Sequence, residues 1–272
     1  MNFLTRARTL YILHHYAIKH PLWQTVSAEL QLLQGMTSVE KTHLRELSTL
    51  FLHQKNIIGI ELQVTELMRV IIAVQACLPV LALGLKLLAG WTDLIIYPDA
   101  FRVSKNEMDG DGIVHHNEKI LSGEAWLSGP VILSWENIKQ SLQNSQSGQN
   151  VIVHEIAHKL DMLNGRANGM PPLHVSMQTA AWTAALSAAF EQLNQRLELH
   201  QRVCINPYAA TSPAEFFAVF SEYFFSAPEI LHQHFNNVYV QLRQYYRQDP
   251  LQRKLNFGPM RNKVRPQDVG WC

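Results

Sequence analysis

Apolar residues follow two different rhythms along this chain. Over the first 90 positions the helical period dominates. Leu44, Leu47, Leu50 and Phe51 follow Ser38 and Lys41 at helical spacing, which predicts a capped amphipathic helix starting at Ser38. Thr65 to Ala76 predicts another. The apolar stretch Val70 to Leu88 is long enough to raise the question of a membrane span. Gln75 and Pro79 interrupt it, Gly84 weakens it, and Arg69 and Lys86 bracket it. Two short buried helices, or a helix and a turn, are therefore expected instead.

From Trp91 the rhythm changes. Leu94 to Tyr97 is a short β-rich run ended by Pro98-Asp99, and Phe101-Arg102-Val103 is a candidate continuation. Asp109-Gly110-Asp111-Gly112 predicts a turn. It is no calcium loop, because Ile113 stands where the third ligand belongs and no glutamate occupies the twelfth position. Ile120 to Trp135 predicts a hairpin turning at Ser128-Gly129-Pro130, and the polar run Ser141 to Gln149 predicts a loop. Val151 to Leu163 returns to a strongly apolar helical pattern, with Asn150 as N-cap and Asn164-Gly165 as stop. Residues 165–175 read as an irregular connection, Thr179 to Leu199 and Pro213 to Phe225 as helices, and the tail after Pro250 as extended. Strands followed by helices point to an α+β fold. The preferred division is one domain over 1–272, with a mostly helical part at 1–90 and a core at 91–272 that holds the later strands and helices.

Composition removes some function classes. The 272 residues carry a net charge of +1, so no strong field favours direct nucleic-acid contact or an anionic membrane. Cys77, Cys204 and Cys272 are odd in number and far apart, which suggests neither a disulfide framework nor a thiolate metal site and fits a reducing, cytoplasmic setting. Arg6 and Arg8 precede an apolar run broken by His14 and His15, with no small-residue cleavage site, so a short amphipathic helix is expected rather than a secretory signal.

The chemistry concentrates in His154-Glu155-Ile156-Ala157-His158, an HExxH motif. On a helix, residues four apart share a face, so both imidazoles can address one metal ion. The glutamate between them can serve as general base to a water, the constellation of a zinc peptidase. Thirteen histidines raise the odds of a chance match. Against chance, three polar groups inside so apolar a helix would be costly without partners.

A catalytic zinc site needs a third protein ligand. The pattern with a third histidine on the same segment fails, because Asp161 and Asn164 occupy its positions. Asp161 is either a hydrogen-bond partner of a ligand histidine or a solvated residue near the helix end. Glu215 and Glu222, seven apart, are the only acids in the apolar helix 213–225. Glu215 is favoured as ligand, although Ser212, Pro213 and Glu215 also form a capping-box pattern. Glu222 is the alternative ligand, or else a hydrogen-bond partner of His154 or His158. Tyr208, in the loop before this helix, reads equally as an oxyanion stabiliser or as an aromatic anchor.

Taken together, HEIAHKLD, the run N-P-Y-A-A-T-S-P-A-E-F-F-A-V-F-S-E-Y-F-F and the segment Gly123 to Trp135 resemble the Mlc titration factor A family of bacterial metallopeptidases. The resemblance spans about residue 20 to the C-terminus. It implies a zincin-like (gluzincin) fold, similar in its core to the anthrax lethal factor metalloprotease domain, with a small sheet beside the metal helix. It implies one zinc ion held by His154, His158 and Glu215, Glu155 as general base, and Tyr208 as transition-state stabiliser. It further implies aminopeptidase activity on peptide substrates and binding of the glucose repressor Mlc, with an effect on phosphotransferase gene expression. A protein that mainly sequesters the repressor, with secondary or latent peptidase activity, is the alternative.

Overall fold

The computed structural model describes residues 3–99, 129–144 and 147–257, with the backbone of 106–108 and 114–116. The chain opens with helices α1 (Phe3–His15), α2 (His20–Glu29) and α3 (Ser38–Gln54). Strand β1 (Asn56–Gly59) and helix α4 (Glu66–Cys77) follow, then strand β2 (Asp93–Tyr97). Short strands β3 (Asn106–Met108) and β4 (Val114–His116) pair antiparallel. Strand β5 (Val131–Ser134) runs into α5 (Trp135–Gln143). The remaining helices are α6 (Val151–Asp161), α7 (Thr179–Glu198), α8 (Pro213–Ser226), α9 (Pro228–His234), α10 (Asn236–Tyr246) and α11 (Pro250–Asn256).

The main sheet has the order β1-β2-β5, with both pairs parallel. Leu94 stands opposite Ile57 and Val131, so the central strand fixes both neighbours in register. Leu94 and Ile96 are fully buried, and the strand alternates inward and outward residues along its length. Helix α4 is apolar nearly all round, and Val70 to Cys77 are all buried. Such a helix belongs in an interior, and α4 packs between α3 and α6. Helix α8 is equally sunken, with every residue from Phe216 to Ser226 buried. It lies along α6, and this pairing builds the site. The buried apolar side chains form one continuous cluster, from Ile18 and Trp23 to Tyr245 and Tyr246.

The α6, α7 and α8 segments fold as the sequence predicts. The Val70–Leu88 stretch breaks after Cys77, and a single 3-10 turn at Leu85–Leu88 follows. No helix among the described residues is long and apolar enough to cross a membrane. The cap of α3 is Thr37, one residue before the predicted Ser38. Its hydroxyl accepts from the Glu40 N–H at 3.2 Å, and Glu40 Oε2 accepts from the Thr37 N–H at 2.8 Å.

The hairpin expected at Ile120–Trp135 falls only partly on described residues. Its second half is β5, which joins β2 in parallel, and Trp135 already belongs to α5, capped by Ser134. Alternating apolar residues fit a parallel neighbour as well as an antiparallel one. Ile120 to Ser128, Phe101 to Val103 and the turn at Asp109–Gly112 lie outside the described residues. The loop expected from Ser141 is helical to Gln143. The tail after Pro250 begins as helix α11, because Asp249 caps it by accepting from the Gln252 N–H at 3.0 Å. Arg253 then reaches Glu40 of α3 at 2.7 Å.

Candidate metal centre

Asn150 starts α6 by accepting the Val153 N–H on its side-chain oxygen at 3.0 Å. One turn on, the four-residue spacing brings His154 and His158 to the same side, with ring centroids 4.7 Å apart. Ser212 starts α8 by accepting the Glu215 N–H at 3.2 Å, with Pro213 in the first turn. So Glu215 supplies the backbone half of the expected capping box, yet its carboxylate turns to the histidines. Its Oε2 lies 3.1 Å from His154 Nε2 and 3.2 Å from His158 Nε2, while the two Nε2 atoms are 3.1 Å apart. The three donor atoms form a nearly equilateral triangle, and all three side chains are largely buried.

The electrostatics of this triangle call for a positive charge. Two imidazole lone pairs facing each other at 3.1 Å beside a carboxylate repel unless a cation or a proton lies between them. Burial opposes a charged His154, but its hydrogen bonds to Glu215 and Glu222 outweigh burial and lift its pKa to about 10. Burial likewise pushes Glu215 up, and its bonds to both histidines overcome this and take it down to about 2.

Glu222 sits behind His154. Its Oε1 accepts from Nδ1 at 2.7 Å, and its Oε2 accepts from the backbone N–H of Asn150. The proton on Nδ1 leaves the Nε2 lone pair facing the triangle. Of the two roles the sequence leaves open for Glu222, the geometry matches the hydrogen-bond partner; the group that could hold a metal ion is His154, His158 and Glu215.

Tyr208 occupies a 3-10 turn, Pro207–Ala210, where Asn206 accepts its N–H at 3.0 Å. Its ring lies 6.2 Å from that of His154, and its hydroxyl is close enough to Glu215 for the carboxylate to act on it. Burial, then the charge of Glu215, raises its pKa, so the hydroxyl keeps its proton. The charge of Glu155, next to His154, acts on both His154 and Tyr208.

Among the described residues, Asp161 is neither solvated nor hydrogen-bonded to a histidine. It is fully buried, and its two oxygens accept from the N–H groups of Gly169 and Met170 at 2.7 and 2.8 Å. It thereby pins the 165–175 connection against the start of α8. Gly169 has φ +76°, and a Cβ there would lie 2.4 Å from the Pro213 carbonyl oxygen, two residues before Glu215. Sequence reasoning missed this clamp, and it also missed Gln75, whose side chain accepts from Asn150 at 2.7 Å. The signal for Gln75 is its place as the one amide or charged side chain in the buried run Val70–Cys77, but the sequence does not show its target.

The chain as a whole finds a match among known proteins. The chain belongs to the glucose-regulated metallo-peptidase M90 family, which it matches over residues 3–247. This M90 chain is 41% identical over 244 residues to a Mlc titration factor A of Cronobacter sakazakii, covering 88% of this chain and 91% of the relative. It is 41% identical over 235 residues to the Escherichia coli Mlc titration factor A, covering 85% and 87%. The Klebsiella pneumoniae protein of that name is 40% identical over 240 residues, covering 87% and 89%. M90 membership makes the chain a metallopeptidase and implies a metal ion. Among the described residues, His154, His158 and Glu215 are the one His/Cys/Asp/Glu group whose ligand atoms all lie within 4.8 Å of one another.

Proposed function

We propose that this chain is a zinc peptidase of gluzincin type, with His154, His158 and Glu215 as metal ligands. The triangle of donor atoms carries this reading. Ligands about 2.1 Å from a tetrahedral zinc stand roughly 3.4 Å apart, and the three edges here measure 3.1, 3.1 and 3.2 Å. Two imidazole nitrogens and one carboxylate oxygen suit zinc, and the hydrogen bond from His154 to Glu222 is the usual support of a ligand histidine. When bound, zinc polarises the scissile carbonyl and makes a water more acidic.

The chain's own residues supply the rest. Glu155 takes the proton of the attacking water and delivers it to the leaving amine. Tyr208, whose hydroxyl stays protonated, donates a hydrogen bond to the oxyanion of the tetrahedral intermediate. His154 is held in register by Glu222, and Glu215 by the cap at Ser212. The chain acts as a single domain, cytoplasmic, on peptide substrates.

Aminopeptidase specificity is part of the proposal and needs an acid for the substrate's free amine. Asp161, Glu124 and Glu222 are the candidates in the sequence. Asp161 and Glu222 already have both oxygens engaged, which leaves Glu124, outside the described residues. The name of these relatives, Mlc titration factor A, favours a second activity, binding of Mlc; the family resemblance makes Mlc a glucose repressor of phosphotransferase genes. One experiment separates these roles. Glu155→Gln is expected to keep one zinc per chain and full repressor binding while losing peptide hydrolysis by at least about a hundredfold. Hydrolysis at the wild-type rate by zinc-loaded Glu155→Gln would sink the mechanism, and absence of repressor binding by the wild type would sink the second activity.

A further inference from the structure

Behind the candidate metal centre a chain of buried polar groups leads away from His154, through α8 and the start of α6, into the helical N-terminal part. Glu222 accepts from His154 Nδ1 with one oxygen and from the Asn150 N–H with the other. Asn150 spends its side-chain oxygen on the cap of α6. Its amide Nδ2 then points away from the site and donates to Gln75 Oε1 at 2.7 Å. Gln75 is oriented in turn by its own helix, since its Nε2 donates to the Ile71 carbonyl at 3.4 Å. Asn150 and Gln75 are 3% and 1% exposed, so water does not substitute for either bond.

A glutamine so deeply buried in an otherwise apolar helix costs free energy unless its bonds serve something. A side-chain amide has an oxygen end and a nitrogen end, and Asn150 needs each in a fixed place. Gln75 accepts only from the nitrogen end. It therefore selects the orientation of Asn150 in which the oxygen caps α6, and that cap holds the Asn150 backbone so that its N–H faces Glu222.

We propose that Gln75 is a positioning residue for the metal centre, acting through Asn150 and Glu222 to fix the ring of His154. This rests on the reading of His154 as a metal ligand. Gln75 lies 79 positions before His154 in the chain. The relay thus ties the packing of the N-terminal helices to the geometry of the site.

The test is zinc affinity of the full chain, read by competition with a chromogenic chelator. Gln75→Leu is expected to weaken zinc binding roughly three- to tenfold, less than the loss typical of a direct partner of a ligand histidine. Gln75→Glu, whose remaining oxygen still accepts from Asn150, is expected to stay within about twofold of wild type. Added to Glu222→Gln, Gln75→Leu is expected to cost nothing further, because its path runs through Glu222. If Gln75→Leu does not fold, Gln75→Met carries the same expectations. Wild-type affinity in the folded Leu or Met variant overturns the proposal, as does an equal further loss in the Glu222→Gln background. Failure of the wild type to bind zinc overturns the ligand assignment, and this relay with it.

Discussion

His154 Nδ1 and Glu222 Oε1 lie 2.7 Å apart, and this contact decides which nitrogen of His154 is offered to a metal. A neutral imidazole has one donor and one acceptor nitrogen, and a carboxylate at Nδ1 claims the donor. Glu222→Gln keeps the shape but removes the charge, and it places an amide group where the Asn150 N–H also seeks an acceptor. Zinc affinity is expected to fall about 10- to 100-fold. Chelator competition measures this, and an unchanged affinity would show that His154 needs no such partner.

Tyr208 gives a prediction of opposite character. Burial and the nearby charge of Glu215 keep its hydroxyl protonated, so it is a donor beside the triangle. Tyr208→Phe removes one donor to the oxyanion and leaves the three metal-facing atoms alone. A drop in kcat of about 10²- to 10³-fold is expected, with KM and zinc content little changed. Steady-state kinetics on a peptide substrate decide it, and a change confined to KM would return Tyr208 to the role of aromatic anchor.

Much of the site was legible in the sequence because its pieces are local. HExxH lies within a single helical turn, and Glu215 stands out because α8 is otherwise so apolar. What was not legible depends on long-range return of the chain. Asp161 looks like a surface residue until the loop at 169–170 folds back and delivers two N–H groups to it. Gln75 looks like a break in an apolar run until α6 places Asn150 above it. The small sheet suffered from the same limit. A four-residue strand such as β1 carries too little pattern, and the apolar run 131–134 cannot say that β2 would be its parallel neighbour.

Gly169 tests the clamp that Asp161 sets. Its φ of +76° is costly for any other residue, and a Cβ there would stand 2.4 Å from the Pro213 carbonyl oxygen. Gly169→Ala is expected to destabilise the fold by about 2 kcal/mol or more. Because Pro213 begins the helix that carries Glu215, the variant is also expected to bind zinc more weakly than the lost stability alone explains. Urea denaturation and metal titration of the same sample measure both. Wild-type values in each would mean that the loop and α8 move apart freely.

Lys55 gives a pH dependence away from the site. Its ammonium donates to the carbonyls of Leu88 and Trp91 and lies 3.6 Å from the centre of the Trp91 ring. Burial, reinforced by nearby Lys159, pushes its pKa down to about 8. The folded value lies below that of the unfolded chain, so between about pH 8 and 10.5 the unfolded state binds more protons. The fold then gains stability from this group as pH rises, while the full penalty applies below pH 8. Lys55→Met removes that penalty. The stability of the variant relative to wild type is expected to decline from pH 7.5 to 10 by about 1–3 kcal/mol. A difference between the two denaturation curves that stays constant with pH would show that Lys55 titrates normally.

Metal removal should reveal how far the centre holds the two helices together. Glu215 is on α8, His154 and His158 are on α6, and a cation held by all three would couple two helices that pack closely along each other. A ligand that binds only the folded state stabilises it by about 4 kcal/mol at a thousand times its Kd. For a chain of this size that corresponds to a rise in Tm on the order of 10 °C when zinc is added to chelator-treated protein. Glu155→Gln keeps all three donors and is expected to show the same rise. Glu215→Ala lacks one and is expected to show much less at equal zinc concentration. A rise of equal size in Glu215→Ala would place the ion elsewhere and refute the assignment of the triangle.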